Sequence, residues 1–335
     1  MKYKLIFLFL TFSIACSVIR SGNEMDEFPE KVKSIRCFDP EAAFQLGRLL
    51  FYDPGISSDS SISCSSCHSS YNAFAHGDHR LSHGIRGNIV TRNAPGLFNL
   101  SLQPMLMWDG AANNLEDQML IPIHQPKEMD SNFRKILAHL SGHSSYTDLF
   151  NKAFGSQPDS VNTLHALAAF QLRLISQHSR YDSVRAGRKR WTSQEKNGLA
   201  IFKEHCQRCH VPPAFSDYSF RDNGLPMDPQ LRDSGRFVVT RESNDLFCFK
   251  VPSLRNLSYT APYMHDGRFD NLRQVLLHYA SGKIMHGDSL LRKGIALNSK
   301  ERTDLIAFLL SLNDPSFVHD TNTMYPSRWV QDHHE

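Results

Sequence analysis

The chain opens with an uninterrupted apolar run, Leu5 to Ile14, preceded by Lys2 and Lys4. The run is too short to cross a bilayer as a folded helix, and it has the layout of a secretory signal. Ser13-Ile14-Ala15-Cys16 follows, with small residues just before the cysteine. That pattern predicts a signal over 1–16, with a lipoprotein signal lipidated at Cys16 as its sharper form, and the polar, acidic stretch over 17–38 as a tether. Beyond it the apolar positions recur at helical spacing. Pro40 to Leu50 predicts a helix with Phe44, Leu46, Leu49 and Leu50 on or near one face. Val161 to Ser176 carries a stripe through Leu164, Leu167, Phe170, Leu174 and Ile175. Ser193-Gln194-Glu195 opens another helix, with Leu199, Ile201 and Phe202 along it, and Ser299 to Leu312 predicts a last one with Ser299 as its N-cap. Alternating strand patterns are scarce, Val238 to Thr240 being one short candidate. The class expected is mainly α.

Composition changes this picture little. With 335 residues and 41% hydrophobic residues the chain can build two ordinary cores, and no long polar tract points to disorder. A formal net charge of +3 from scattered basic residues excludes a nucleic-acid binder and would suit an acidic protein partner. No later segment is apolar for long enough to cross a membrane.

The cysteines change it most. Four of the seven sit in two C-x-x-C-H strings, Cys64-Ser65-Ser66-Cys67-His68 and Cys206-Gln207-Arg208-Cys209-His210. This is the attachment signature of c-type haem. Two thiols on one turn add to the two haem vinyl groups, and the next residue places its imidazole under the iron. A zinc site would want a second pair close by, and a redox dithiol does not require the trailing histidine. The expected architecture is therefore two c-type cytochrome domains, each around one covalently bound haem, over 39–185 and 186–314, with a tail over 315–335. Of the single cysteines, Cys37 and Cys248 either pair in an oxidising compartment or stay as two buried thiols.

Around these strings the chain resembles the bacterial di-haem cytochrome c peroxidase family, including its MauG-like branch. The blocks that carry the resemblance begin with Gly47-Arg48-Leu49-Leu50-Phe51-Tyr52-Asp53 and Ile62-Ser63. Arg92-Asn93-Ala94-Pro95, Trp108-Asp109-Gly110, Leu115-Glu116-Asp117-Gln118 and Pro126-Lys127-Glu128-Met129 come next. The second half has Gly235-Arg236-Phe237, Lys250-Val251-Pro252-Ser253-Leu254-Arg255-Asn256 and Thr260-Ala261-Pro262-Tyr263-Met264-His265-Asp266-Gly267. They recur in family order from Asp39 to Leu312.

The resemblance implies a cytochrome-c peroxidase: hydrogen peroxide is reduced to water at the N-terminal haem, and the C-terminal haem relays electrons from a small cytochrome c or copper protein. The alternative it allows is a MauG-like oxidase acting on a protein or small molecule through a high-valent iron state. It implies acid–base work for Glu128, a peroxide contact for Gln118 and a bridge between the haems for Trp108. Splitting the O–O bond needs a proton moved from the inner to the outer oxygen, which a carboxylate in an apolar pocket can do. His68 and His210 become haem-iron ligands, and Asn93, Thr260 and Pro262 calcium ligands, a hard cation suited to oxygen donors. A periplasmic location is expected, and a homodimer is allowed. Two departures from the family matter. The position of the histidine that caps the first iron in members needing activation is Ile85, with His83 two residues off and His76 and His79 in the same loop. The sixth-ligand position of the second haem, fourteen residues after His265, is Tyr279, as in MauG-like members, with Met264 and Met285 as nearby competitors. Phenolate is a harder, anionic donor than thioether and favours a lower potential.

Overall fold

The structure is a computed structural model. It describes residues 36–77, 79–281 and 291–327, with the backbone alone at 15–16 and 35. The signal, most of the tether and Met285 lie outside the described residues.

The described chain is mainly helical. In order come α1 (Pro40–Tyr52), α2 (Cys64–Cys67), α3 (Leu115–His124), α4 (Phe133–Ser141), α5 (Ser144–Phe154), α6 (Ser160–Leu172), α7 (Arg180–Arg185), α8 (Ser193–His205), α9 (Phe237–Thr240), α10 (Leu272–Ala280), α11 (Ser299–Leu310) and α12 (Pro315–Val318). Sheet is confined to two-residue pairs: β1 (Ala15–Cys16) with β2 (Ile35–Arg36), and β3 (Phe220–Arg221) with β4 (Phe249–Lys250), both antiparallel. No described helix is long and apolar enough to cross a membrane.

Side-chain caps start most of the helices, because Asp, Asn and Thr oxygens can take an N–H that the first turn leaves unpaired. Asp39 accepts from Ala42 at 3.0 Å, and Pro40 fills the first helical position, where a missing N–H costs nothing. Thr192 accepts from Glu195 at 3.1 Å while the Glu195 carboxylate reaches back to the Thr192 N–H at 2.7 Å. The last long helix is capped by Asn298, which accepts from Glu301 at 3.0 Å, so Ser299 is its first helical residue and not its cap. Val238 to Thr240 is part of α9 and not a strand. α6 ends at Leu172, so Leu174 and Ile175 lie beyond the helix, Leu174 still fully buried.

Two apolar clusters form, and they repeat one design. In the first, α1 crosses α6 so closely that a Cβ on Gly47 would lie 1.8 Å from the Ala166 carbonyl oxygen. In the second, α8 crosses α11, and a Cβ on Gly198 would lie 2.0 Å from the Asp304 carbonyl oxygen. One turn further along, Phe51, Phe74 and Phe170 meet at centroid separations of 5.0–6.0 Å, and Phe202, Phe215 and Phe308 meet at 5.0–6.3 Å. The turns repeat as well. Asn99 and Asn256, Met107 and Met264, and Gly110 and Gly267 are each 157 residues apart, and all have positive φ. The clusters are not cut at a single point of the chain: Phe317 and Val318 of α12 return to the first one, Phe317 lying 5.8 Å from Phe74. Arg48 and Tyr52 then hold the segment over 321–324 by its carbonyls.

Candidate haem sites and the seam between them

Each C-x-x-C-H string ends in a histidine held the same way. His68 Nδ1 lies 2.8 Å from the Phe74 carbonyl oxygen, and His210 Nδ1 lies 3.1 Å from that of Phe215. A second carbonyl faces each ring, from Pro95 and Pro252. A ring nitrogen bonded to a carbonyl carries the proton, so Nε2 is left as the metal-binding lone pair. Burial pushes His68 down to about 4 and His210 down too, which favours the neutral ring that a metal ligand requires. Phe74 and Phe215 therefore do two things: each packs in an aromatic trio and each fixes a histidine tautomer through its backbone. Burial also pushes the Cys64 and Cys206 thiols up to about 12. Among the described residues no three His, Cys, Asp or Glu side chains converge as a metal site. The residues present fit covalently held haem.

Over the first string the structure brings Glu128 close. Its charge acts on the Cys67 thiol, which is raised first by burial and then by this carboxylate. Burial alone raises the Glu128 carboxyl itself. The loop opposite is tied to it: the Ile85 N–H donates to the Glu128 carbonyl at 2.9 Å, and a Cβ on Gly84 would lie 1.9 Å from the Lys127 oxygen. Ile85 is fully buried in this contact, whereas the His83 side chain is exposed. His83 stacks edge-on against His79 at 5.1 Å, and His79 stacks against His76 at 5.8 Å. Gln118 sits on α3 and donates from Nε2 to the Met107 sulfur at 3.6 Å.

Between the halves lies a polar seam with Trp108 at its centre. The indole N–H donates to the Asn93 carbonyl at 2.8 Å, and the Trp108 carbonyl accepts from the Lys250 N–H at 2.7 Å. The Asn93 N–H donates to the His265 carbonyl at 2.8 Å. Asn93 is thus fixed three residues from Pro262, in the turn that also holds Thr260. The Lys250 ammonium is buried against Gln103 Oε1 (2.5 Å) and the Met105 carbonyl (2.9 Å), and burial pushes it down to about 7. Two arginines clamp the equivalent turns from opposite sides: Arg236 donates to the Asp109 carbonyl at 3.0 Å, and Arg80 to the Asp266 carbonyl at 2.8 Å. Arg92 joins Asp233 by a two-point pair (2.6 and 2.9 Å) and Asp109 at 2.6 Å.

At the second string Tyr279 stands on α10, its phenol raised to about 12 by burial, with the Cys206 and Cys209 thiols close enough to act on it. Met264 is near the same point and is engaged by Asn223. Cys37 is disulfide-bonded and Cys248 is a free, buried thiol, so these two do not pair. Pairing was one of two readings the sequence left open, and sequence order carries no distance to choose between them. Asn223, Arg80 and Gly198 were not singled out from the sequence, and Gly47 and Lys250 entered only inside family blocks, with no role given to them. A comparison of the two halves would have found the glycines through Gly47-Arg48-Leu49-Leu50-Phe51 and Gly198-Leu199-Ala200-Ile201-Phe202.

The family model for di-haem cytochrome c peroxidase, CCP_MauG, matches residues 41–190. The methylamine utilization protein MauG of Methylorubrum extorquens is 35% identical over 80% of this chain and 77% of its own length. The cytochrome c551 peroxidase of Nitrosomonas europaea is 33% identical over 86% of each chain. Among solved structures, a MauG-like protein associated with microbial copper homeostasis superposes with a TM-score of 0.79 at 32% identity, covering 86% of this chain and 94% of that one. The chain belongs to the di-haem cytochrome c peroxidase family.

Proposed function

We propose that this chain is a cytochrome-c peroxidase. It holds one c-type haem in each half, through Cys64, Cys67 and His68 and through Cys206, Cys209 and His210, and reduces hydrogen peroxide with two electrons from a small cytochrome c or copper protein. One observation carries the reading: the two histidine sites are built alike but differ in what stands near them. A buried carboxyl, Glu128, stands by the first, and a phenol and a thioether, Tyr279 and Met264, stand by the second. When bound, the haems supply the metal centre for peroxide and the store for the second electron. The chain supplies the rest. Glu128 takes the proton from the inner peroxide oxygen and returns it to the outer one, so that water can leave. The Gln118 amide orients the same oxygens, and Ile85, with no donor atom, leaves the first site open at rest. Tyr279 closes the second site. Trp108, bonded to both halves, spans them.

A MauG-like oxidase is the second reading, favoured by Tyr279, since an anionic ligand suits a more oxidised metal. Calcium at Asn93, Thr260 and Pro262 and export to the periplasm belong to the same proposal. Haemochrome analysis is expected to give two covalent haems per chain, one after Cys206→Ala with Cys209→Ala. Rapid mixing of the oxidised protein with peroxide is expected to consume it without prior reduction, and reduced cytochrome c to accelerate turnover. A single haem in the parent, or a resting protein that ignores peroxide until half-reduced, would overturn this account.

A further inference from the structure

A line of touching aromatic rings runs from the first histidine site to the surface. Phe74, whose carbonyl holds His68 Nδ1 at 2.8 Å, packs against Phe51 at a centroid separation of 5.8 Å. Phe51 meets Tyr52 at 5.4 Å, and Tyr52 meets Tyr325 edge-on at 5.7 Å. Phe170 doubles the inner part, 6.0 Å from Phe74 and 6.4 Å from Tyr52. The three phenylalanines and Tyr52 are buried, whereas Tyr325 is 52% exposed. The last contact is built into the fold. Tyr52 donates its O–H to the Thr323 carbonyl at 2.9 Å, and Arg48 donates to the Met324 carbonyl at 2.8 Å, so the backbone just before Tyr325 is fixed at two points. We propose that Tyr325 is a surface outlet that gives up an electron, through Tyr52, to a first haem oxidised by peroxide when no donor protein supplies one.

The two tyrosines divide the work. Electron transfer weakens steeply with the gap it must cross, and rings in contact leave short gaps. A phenylalanine ring is too hard to oxidise to hold the charge, so Phe74, Phe51 and Phe170 only carry it. A phenol is easier to oxidise, provided that its proton has somewhere to go. Tyr52 faces a carbonyl, a poor base, and burial raises its phenol to about 12, so it keeps its proton and serves as a relay. Tyr325 is open to water, which takes the proton. The step balances: the Tyr325 O–H bond breaks, its proton passes to water, and its electron goes through Tyr52 to the oxidised first haem, which is reduced by that electron. The product is a neutral tyrosyl radical. Two such radicals on two copies of the chain join in one ring carbon–carbon bond, each displaced ring hydrogen moving to a phenol oxygen.

The inference rests on peroxide reacting at the first haem, and its test separates the two. The oxidised holoprotein is mixed with peroxide in the absence of a donor and frozen for electron paramagnetic resonance, with haem absorption followed in parallel. The parent is expected to give a tyrosyl signal and, on longer standing, cross-linked Tyr325 peptides in mass spectrometry. Tyr325→Phe keeps the ring packed on Tyr52 and loses only the O–H, so it separates a redox role from packing. It is expected to lose both signals while turnover with reduced cytochrome c stays at the parent level, and without a donor excess peroxide should inactivate it faster. Tyr52→Phe is expected to slow the appearance of the Tyr325 signal. Tyr71→Phe, at a phenol 66% exposed but outside this line of rings, is expected to behave as the parent. A tyrosyl signal that survives Tyr325→Phe, or one that is lost in Tyr71→Phe, overturns the outlet. Haem absorption that responds to peroxide with no tyrosyl signal overturns the outlet alone, whereas absorption that ignores peroxide overturns the peroxide reading and the outlet with it.

Discussion

A carboxyl group can pass a proton back and forth only if both of its states are reachable at the working pH. An exposed glutamate is almost wholly ionised near neutrality. Burial raises the Glu128 carboxyl, so its protonated form is within closer reach. In the free enzyme it must start ionised to accept the first proton. We expect kcat/KM to fall as the pH drops through this raised value, so the acid limb lies above the ordinary glutamate range of about 4.3. Glu128→Gln should abolish that limb and lower turnover by about 10²–10⁴ while both haems stay attached. A variant with the parent's pH profile would remove Glu128 from proton transfer. The place of Glu128 was legible in the sequence only through the block Pro126 to Met129, because a lone acid after a helix is usually a surface group. Asn223, at the second string, was not legible, since what sets it apart is a contact to Met264, 41 positions away in the chain.

At the scale of elements, the crossings of α1 with α6 and of α8 with α11 oppose two tendencies. Glycine inside a helix is about 1 kcal/mol less favourable than alanine, so Gly47→Ala should stabilise α1 by propensity alone. The crossing says the reverse. An added Cβ would meet the Ala166 backbone at 1.8 Å, and backbone cannot swing aside as a side-chain tip can. Forced overpacking costs roughly 1–3 kcal/mol, so the net change should be a loss of stability. Gly198→Ala, facing Asp304, should behave alike. Thermal melting of the holoprotein checks both, and a variant as stable as the parent would show that the helices part without cost. The longer helices over 40–52, 193–205 and 299–310 were legible from their apolar spacing, whereas the cap of the last one fell one residue before the serine expected. α9 was misread as a strand because three β-branched residues in a row carry sheet propensity, whereas the turn over Gly235 and Arg236 sets the backbone.

At the scale of the molecule, the halves meet through charged groups that neither could bury alone. Arg92 comes from the first half and Asp233 from the second, and Asp109 beside Trp108 completes the group. Burial works against ionisation of Asp233, yet Arg92 outweighs it and holds the carboxyl below its usual range, with help from the Gly235 N–H. A carboxyl lowered on folding contributes stability that is fully present above its unfolded value, about 3.9, and is lost as the pH falls through the folded value. The parent should therefore lose stability below about pH 4, and Arg92→Ala should flatten this part of the dependence. At neutral pH the same variant leaves two shielded carboxylates without their partner, a change that costs roughly 3–5 kcal/mol where the pair is fully buried and less here, since Arg92 is a fifth exposed. Because the loss falls on the seam, the halves should come apart before either unfolds. Calorimetry of Arg92→Ala should show the single parent transition split in two. The seam also holds Trp108 through Asn93, the residue next to Arg92, so electron passage between the haems after peroxide is added should slow in the same variant. A variant that melts in one step at the parent temperature, with unaltered passage between haems, would mean that the halves are joined by the apolar return of α12 and not by this pair.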